Sequence, residues 1–286
     1  MDLDALRAEL LRWYQPRHHA YAWRRVRRTP YRTLVSEVML QQTQAARVEP
    51  IYARFLDRFP NVATLAAASR ADVLRAWRGL GYNRRAIALH EAAREIVRDH
   101  GGRVPRDVEA LRRLPGIGPY TAGAVAVVGR NEPVVAMDTN VRRVCARAIR
   151  GAEPDEVPAV RLADDARSWL DPDAPRTWTE AVMDLGRLVC RPTPRCDACP
   201  LSSWCRFRAS GRAGRSSGRR QSPFEGSRRQ VRGAIVDVLR ATRSASPAAL
   251  AERTGHRPDR IAAAATSLVD DGIVERTRSG LLRLAR

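Results

Sequence analysis

A chain of 286 residues, 44% of them hydrophobic, is long enough to bury a sizeable core as one large or two smaller domains. Its formal charge of +20 exceeds what solubility requires and points to a polyanion, nucleic acid ahead of a membrane surface. No apolar run approaches the roughly 18 residues of a spanning helix, MDLDALRAEL is no signal peptide, and the absence of any lysine removes Schiff-base catalysis by a side-chain amine.

A cytoplasmic, nucleoid-associated protein is expected, and residues 1 to about 207 read as predominantly helical. Apolar positions recur at helical spacing in Leu3-Leu6-Leu10, Ile51-Phe55-Leu56-Phe59 and Val73-Leu74-Trp77. Loops are marked by Phe59-Pro60-Asn61, Gly101-Gly102-Arg103 and Arg130-Asn131-Glu132-Pro133. The stretch LVSEVMLQQTQ (34–44) sets Glu37 inside an apolar run. Such a carboxylate either lies on the wet side of an amphipathic helix or is buried at a cost that makes it keep its proton.

Residues 111–128, LRRLPGIGPYTAGAVAVV, read as two helices joined by a tight glycine turn. Gly116 and Gly118 let the backbone come close to a partner, and the outward N–H groups suit a DNA phosphate; an ordinary helix corner is the plainer reading. In VVAMDTNVRRV (134–144), Asp138 opens a helix expected over Asn140 to Ile149. The usual role of Asp there is the N-cap, and backbone N–H bonds would also keep the carboxylate ionised.

Cys190, Cys196, Cys199 and Cys205 fall within sixteen residues, CRPTPRCDACPLSSWC. Bunching of this kind favours metal over disulfides, with a [4Fe–4S] cluster and zinc as the competing occupants. Cys145 reads as a small core residue. From 208 to 230 the sequence RASGRAGRSSGRRQSPFEGSRRQ suits a flexible basic linker. Beyond 231, three helical segments and a hairpin-like IVERTRSGLLRLA suggest a winged helix-turn-helix domain over 231–286.

Four segments, AWRRVRRTPYRTLVSEVMLQQTQ, WRGLGYNRRAIALH, LPGIGPYTAGAV and WTEAVMDLGRLVC, make residues 1–207 resemble the MutY-type adenine DNA glycosylases of the helix-hairpin-helix (HhH-GPD) superfamily. The resemblance implies a mostly α, two-lobed fold with an iron–sulfur loop over 190–205, the small C-terminal α+β domain being additional. It implies a monomeric enzyme acting on double-stranded DNA that contains a mismatch or an oxidised base. Glu37 would protonate an extruded adenine and Asp138 would stabilise the sugar cation, a division of labour like that of retaining glycosidases. Tyr120 and Asn140 would support those two groups, and Glu180 and Arg24 would line the base pocket together with Trp23 and Leu40. Gln41 would be the wedge that fills the vacated stack, Tyr82 the intercalator beside the opposite base, with Gln42 and Thr43 contacting DNA nearby. Related lyases carry a lysine where this chain has Tyr120, so a monofunctional glycosylase follows. The four cysteines would hold the [4Fe–4S] cluster.

Three features depart from that family. The first cysteine gap has five residues instead of six, Asp-Thr-Asn replaces Asp-Gly-Asn, and no MutT-like domain follows the cluster loop. The last two bear on preference for 8-oxoguanine and leave the glycosidic chemistry untouched. A mismatch thymine/uracil glycosylase and a non-catalytic DNA-binding protein are the alternatives. Gln-Gln-Thr at 41–43 favours adenine over thymine, and the placement of Glu37 and Asp138 argues against a catalytically silent protein.

Overall fold

The computed structural model describes residues 2–15, 21–215 and 223–286. Contacts divide the described residues into two units, one built from 2–15, 21–37, 106–113 and 117–215, the other from 38–105, 114–116 and 223–286. No described helix is long and apolar enough to cross a membrane.

The first unit is helical throughout. Asp2 caps the Leu3–Tyr14 helix by accepting from the N–H groups of Asp4 and Ala5 at 3.0 Å. The helical spacing read from the sequence then buries Leu6, Leu10 and Tyr14. They join Val144, Leu162, Trp169, Trp178 and Leu185 in one core, where the two tryptophans meet edge to face with centroids 5.4 Å apart. Cys145 is fully buried in this core, as expected. The helix expected over 140–149 begins at Thr139 but keeps α geometry only to Cys145; Ala146–Arg150 form a π turn that Gly151 closes at φ +69°. The widened turn carries Arg147, 1% exposed, toward the cysteine loop.

The second unit contains the helices Ala45–Arg58, Val62–Ala67, Arg70–Ala76 and Arg84–His100. Phe55, Phe59 and Trp77 pack edge to face at its centre. Its C-terminal part has three helices, Arg228–Ala241, Pro247–Thr254 and Pro258–Asp270. An antiparallel hairpin follows, pairing Val274 with Leu284, and Ala245 adds a bridge to Leu282. Three helices and a wing were expected here. Val231, Ile235, Leu239, Leu250, Ile261 and Leu268 are all buried, so the segment has its own apolar centre. Arg240 fastens it to the rest of the unit, donating to the Leu74 carbonyl at 2.9 Å and to Asn83 Oδ1 at 2.8 Å.

The first part of the expected linker is held in place. Arg212 donates to both Glu156 oxygens at 2.7 and 2.8 Å, and Arg215 donates to Asp155 at 3.1 Å. A Cβ at Gly214 would lie 2.4 Å from the Pro192 carbonyl, which shows how tightly this return segment presses on the cysteine loop. Residues 216–222 of that linker lie outside the described residues.

Candidate active site

Glu37 sits on the Pro30–Leu40 helix and is 9% exposed. The Tyr120 hydroxyl donates to its Oε2 at 2.7 Å. Burial pushes the carboxyl up to about 7, the Tyr120 bond pulls it down, and the charge of Asp138 pushes it up again. Glu37 therefore exchanges its proton near neutrality, where an ordinary glutamate is fully ionised. The wet-face alternative is excluded.

Tyr120 opens the Pro119–Arg130 helix, whose small residues bring the two carboxyl groups into one neighbourhood. At Gly129 a Cβ would stand 3.0 Å from Pro30 Cα and 3.2 Å from Thr33 Oγ1, so the Glu37 helix crosses there at close range. At Gly123 a Cβ would stand 3.2 Å from the Val135 carbonyl, in the strand of chain leading to Asp138.

Asp138 is the N-cap expected, accepting from the Val141 N–H at 2.6 Å and from Asn140 Nδ2 at 2.8 Å. Burial raises its carboxyl above the ordinary aspartate range, and those two donors hold it down. Asn140 is itself fixed: Arg143 donates to its Oδ1 at 2.7 Å, and Gly186 leaves so little room that a Cβ there would be 2.6 Å from Asn140 Cβ. Arg143 also donates to the carbonyls of Gly186 at 2.8 Å and Cys190 at 2.6 Å, and so joins the Asp138 loop to the cysteine segment.

Around these groups lies a buried ionic network. Arg24 donates to Asp184 at 2.7 and 3.3 Å and stands 3.8 Å from Glu180. Arg28 donates to Glu180, and Tyr14 donates to Glu180 Oε2 at 3.0 Å. The carboxylates raise the Arg24 guanidinium against the opposing effect of its burial. Arg24 and Glu180 were singled out from the sequence; Tyr14, Arg28 and Asp184 were not. The i, i+4 spacing of Glu180 and Asp184 in WTEAVMDLG, set against the paired arginines of WRRVRR, was the available signal. Trp23 stacks on Tyr21 at 4.8 Å between centroids and does not enter the core.

Cys190, Cys196, Cys199 and Cys205 line one small cavity with Arg147 and Phe207. Burial raises the thiols of Cys190, Cys199 and Cys205, Cys199 up to about 12, and neighbouring thiols add to this. Arg147 opposes the rise at Cys190, with its Nη1 3.9 Å from the sulfur. The same guanidinium is anchored to Glu153 at 2.8 Å and to the carbonyls of Arg191 and Pro192 at 2.6 and 2.9 Å. Among the described residues no group of three or more His, Cys, Asp or Glu is arranged to hold a metal ion.

Residues 35–161 match the family of HhH-GPD superfamily base excision DNA repair proteins. An adenine DNA glycosylase of Mycolicibacterium smegmatis is 45% identical over 97% of this chain and 95% of its own length. That of Mycobacterium tuberculosis is 45% identical over 96% and 92%. The chain belongs to the adenine DNA glycosylase family. The human member of this family is 39% identical over 72% of this chain and 40% of its own length. Among solved structures, a thermostable thymine-DNA glycosylase superposes with a TM-score of 0.68 at 27% identity, over 73% of this chain and 97% of its own. Endonuclease III in a trapped DNA complex shares the fold, with a TM-score of 0.62 at 23% identity over 74% and 99%.

In this adenine DNA glycosylase family member the remaining candidate residues lie mainly in the second unit. Leu40 ends the Pro30–Leu40 helix and Gln41, Gln42 and Thr43 follow it, whereas Tyr82 lies in the loop before the Arg84–His100 helix. Gln42 and Tyr82 hold positive φ, 53° and 45°, which costs a non-glycine residue free energy that the surrounding contacts must offset. One residue missed from the sequence holds both turns. Arg85 donates to the carbonyls of Val38 at 3.0 Å, Met39 at 2.9 Å, Leu80 at 3.3 Å and Gln41, and to Thr43 Oγ1 at 2.9 Å. Its guanidinium lies 5.6 Å from the Trp77 ring and 5.5 Å from that of Tyr82. Burial lowers it to about 10, so it stays charged. In the glycine turn, Gly116 has φ +73° and a Cβ there would strike Ala88 at 2.7 Å, whereas at Gly118 it would meet open space. Gly118 caps the Pro119–Arg130 helix with no side-chain bond, and leaves its first N–H groups uncovered by a side-chain cap.

Proposed function

We propose that this protein is a monofunctional glycosylase of base excision repair that removes adenine paired with 8-oxoguanine or guanine. The observation that carries this reading is a buried Glu37 carboxyl held by Tyr120 and raised to about 7 by burial and by the like charge of the N-capping Asp138. The protonated carboxyl of Glu37 delivers its proton to the purine ring of an extruded adenine. The glycosidic bond then breaks toward the base, which leaves as neutral adenine. Positive charge develops on the sugar, and the Asp138 carboxylate stabilises it. Water supplies the hydroxyl that completes the abasic site and leaves its proton to regenerate Glu37. Arg24, Glu180 and Asp184 form the polar wall of the base pocket. Without any lysine, no side-chain imine with the abasic sugar follows, and the strand stays intact.

Gln41 fills the place left in the duplex by the extruded base, Tyr82 intercalates beside the opposite base, Gln42 and Thr43 contact DNA nearby, and the open backbone at Gly118 receives a phosphate. The four cysteines, which line one cavity, would hold a [4Fe–4S] cluster as thiolate ligands. Arg147 offsets their negative charge. Such a cluster would fix residues 190–205, and Arg143 joins that segment to Asn140.

The test is excision from duplexes bearing A:8-oxoguanine, A:G, T:G or U:G, revealed by alkali. Release of adenine from the first two supports the proposal. Release confined to T:G or U:G would establish the thymine-type alternative, to which the likeness to the 27% identical thymine-DNA glycosylase structure lends support.

A further inference from the structure

The C-terminal helices and hairpin are covered by the matches to both mycobacterial relatives, which extend over 97% and 96% of this chain, so the domain is a shared feature of that group. In a winged helix the third helix ordinarily enters the major groove. Here that helix, Pro258–Asp270, exposes Ala262, Ala263, Thr266 and Val269, flanked by the carboxylates of Asp259 and Asp270. That face of small residues offers little base readout, and the arginines at its N-terminal end are engaged, Arg257 with Asp259 at 3.1 Å and Arg260 with the Gly226 carbonyl at 2.7 Å.

A different surface of the same unit has the composition of a nucleic-acid platform. Tyr82 and Phe224 are exposed aromatics, at 39% and 59%. Arg229 links them: its Nη1 lies 3.3 Å from the Tyr82 hydroxyl, and its Nη2 reaches the carbonyl of Pro223, beside Phe224. Arg228 is exposed next to it, and Arg260 props the turn through the Gly226 carbonyl at 2.7 Å. The strip is held on the Tyr82 loop by Arg240, whose bond to Asn83 is one residue from Tyr82, and by the ion pair of Arg84 with Asp271 at 3.5 Å. Alternating aromatic and guanidinium groups are what a DNA strand needs for stacking and phosphate neutralisation.

We propose that Tyr82, Arg229 and Phe224 form one continuous DNA-binding strip, by which the C-terminal domain grips the strand opposite the extruded base with its first helix instead of its third. The assignment to that strand rests on the reading of Tyr82 as the intercalating side chain.

The full-length protein is titrated by fluorescence anisotropy onto a duplex carrying a tetrahydrofuran abasic analogue opposite 8-oxoguanine, over a series of salt concentrations. Arg229→Ala is expected to weaken binding about fivefold or more and to flatten the slope of log K against log salt by about 0.9, one phosphate contact. Arg229→Lys restores the slope, a readout that a purely structural role would not move. Phe224→Ala weakens binding with the slope intact, and the double variant Ala263→Glu, Thr266→Glu leaves both unchanged. An unaltered slope in Arg229→Ala overturns the proposal, as does loss of binding in the double variant with circular dichroism unchanged. Wild-type protein that bound in this way yet released no adenine would instead refute the enzymatic reading, so the two failures are separable.

Discussion

At the scale of single residues, the decisive quantity is the proton on Glu37. With its carboxyl at about 7, excision measured in single turnover is expected to fall as pH rises beyond 7. Tyr120→Phe removes the bond that favours the ionised form, so the alkaline limb should move to higher pH. Glu37→Gln should abolish release of adenine while DNA binding persists. The same shift has a cost in stability. A carboxyl raised on folding favours the folded state fully only below its unfolded value of 4.5, and that contribution is lost as pH climbs through 7. Glu37→Gln is therefore expected to unfold at higher denaturant than wild type at pH 8, by about 3 kcal/mol at most, with the difference shrinking toward pH 5. Wild type more stable than the variant at pH 8 would contradict the buried, neutral assignment. Asp138→Asn, which keeps the cap but loses the charge, should lower excision by roughly a hundredfold or more.

At the scale of elements, close approach governs the site. The Pro119–Arg130 helix has to be small at Gly129 to admit the Glu37 helix, and Gly129→Val should both destabilise the protein by about 1–3 kcal/mol and slow excision. Thermal unfolding and single-turnover rates measure the two effects. Much of this was legible in the chain. LPGIGPYTAGAV announced the turn and its small helix, Glu37 stood out by being acidic in an apolar run, and Asp138 by preceding a helix. Arg85 was not legible, because an arginine two residues past a loop looks like any solvated cation. Its bonds to the carbonyls of two turns far apart in sequence exist only after folding. The same holds for Tyr14 and Arg28, which meet Glu180 from more than 150 residues away. The π turn at 146–150 was invisible for a different reason: periodicity reports the mean helical pitch, not a single wide turn. Arg85→Ala is expected to leave several carbonyls without a donor, to loosen both turns, and to raise the Kd for the abasic duplex about tenfold.

At the scale of the whole molecule, a charge of +20 carried by arginine alone predicts binding that weakens steeply with salt whatever base is removed. The cysteine loop predicts a brown protein containing about four iron atoms and as many sulfides per chain. Cys196→Ser should lose that colour, and a colourless zinc protein would refute the assignment. The loop is pinned from two sides, by Arg143 through the Cys190 carbonyl and by Gly214 against Pro192. Loss of the cluster is thus expected to reach the Asn140 side chain as reduced excision before the protein unfolds.

The tight seat of Asn140 against Gly186 also has a genetic corollary. A single added methyl at position 186 would need space that the Asn140 Cβ already fills at 2.6 Å, and the displaced amide would abandon Asp138. Cells carrying Gly186→Ala should then behave as mutators in a fluctuation assay, accumulating G:C to T:A transversions, although the altered protein is made in normal amounts and still finds its lesions.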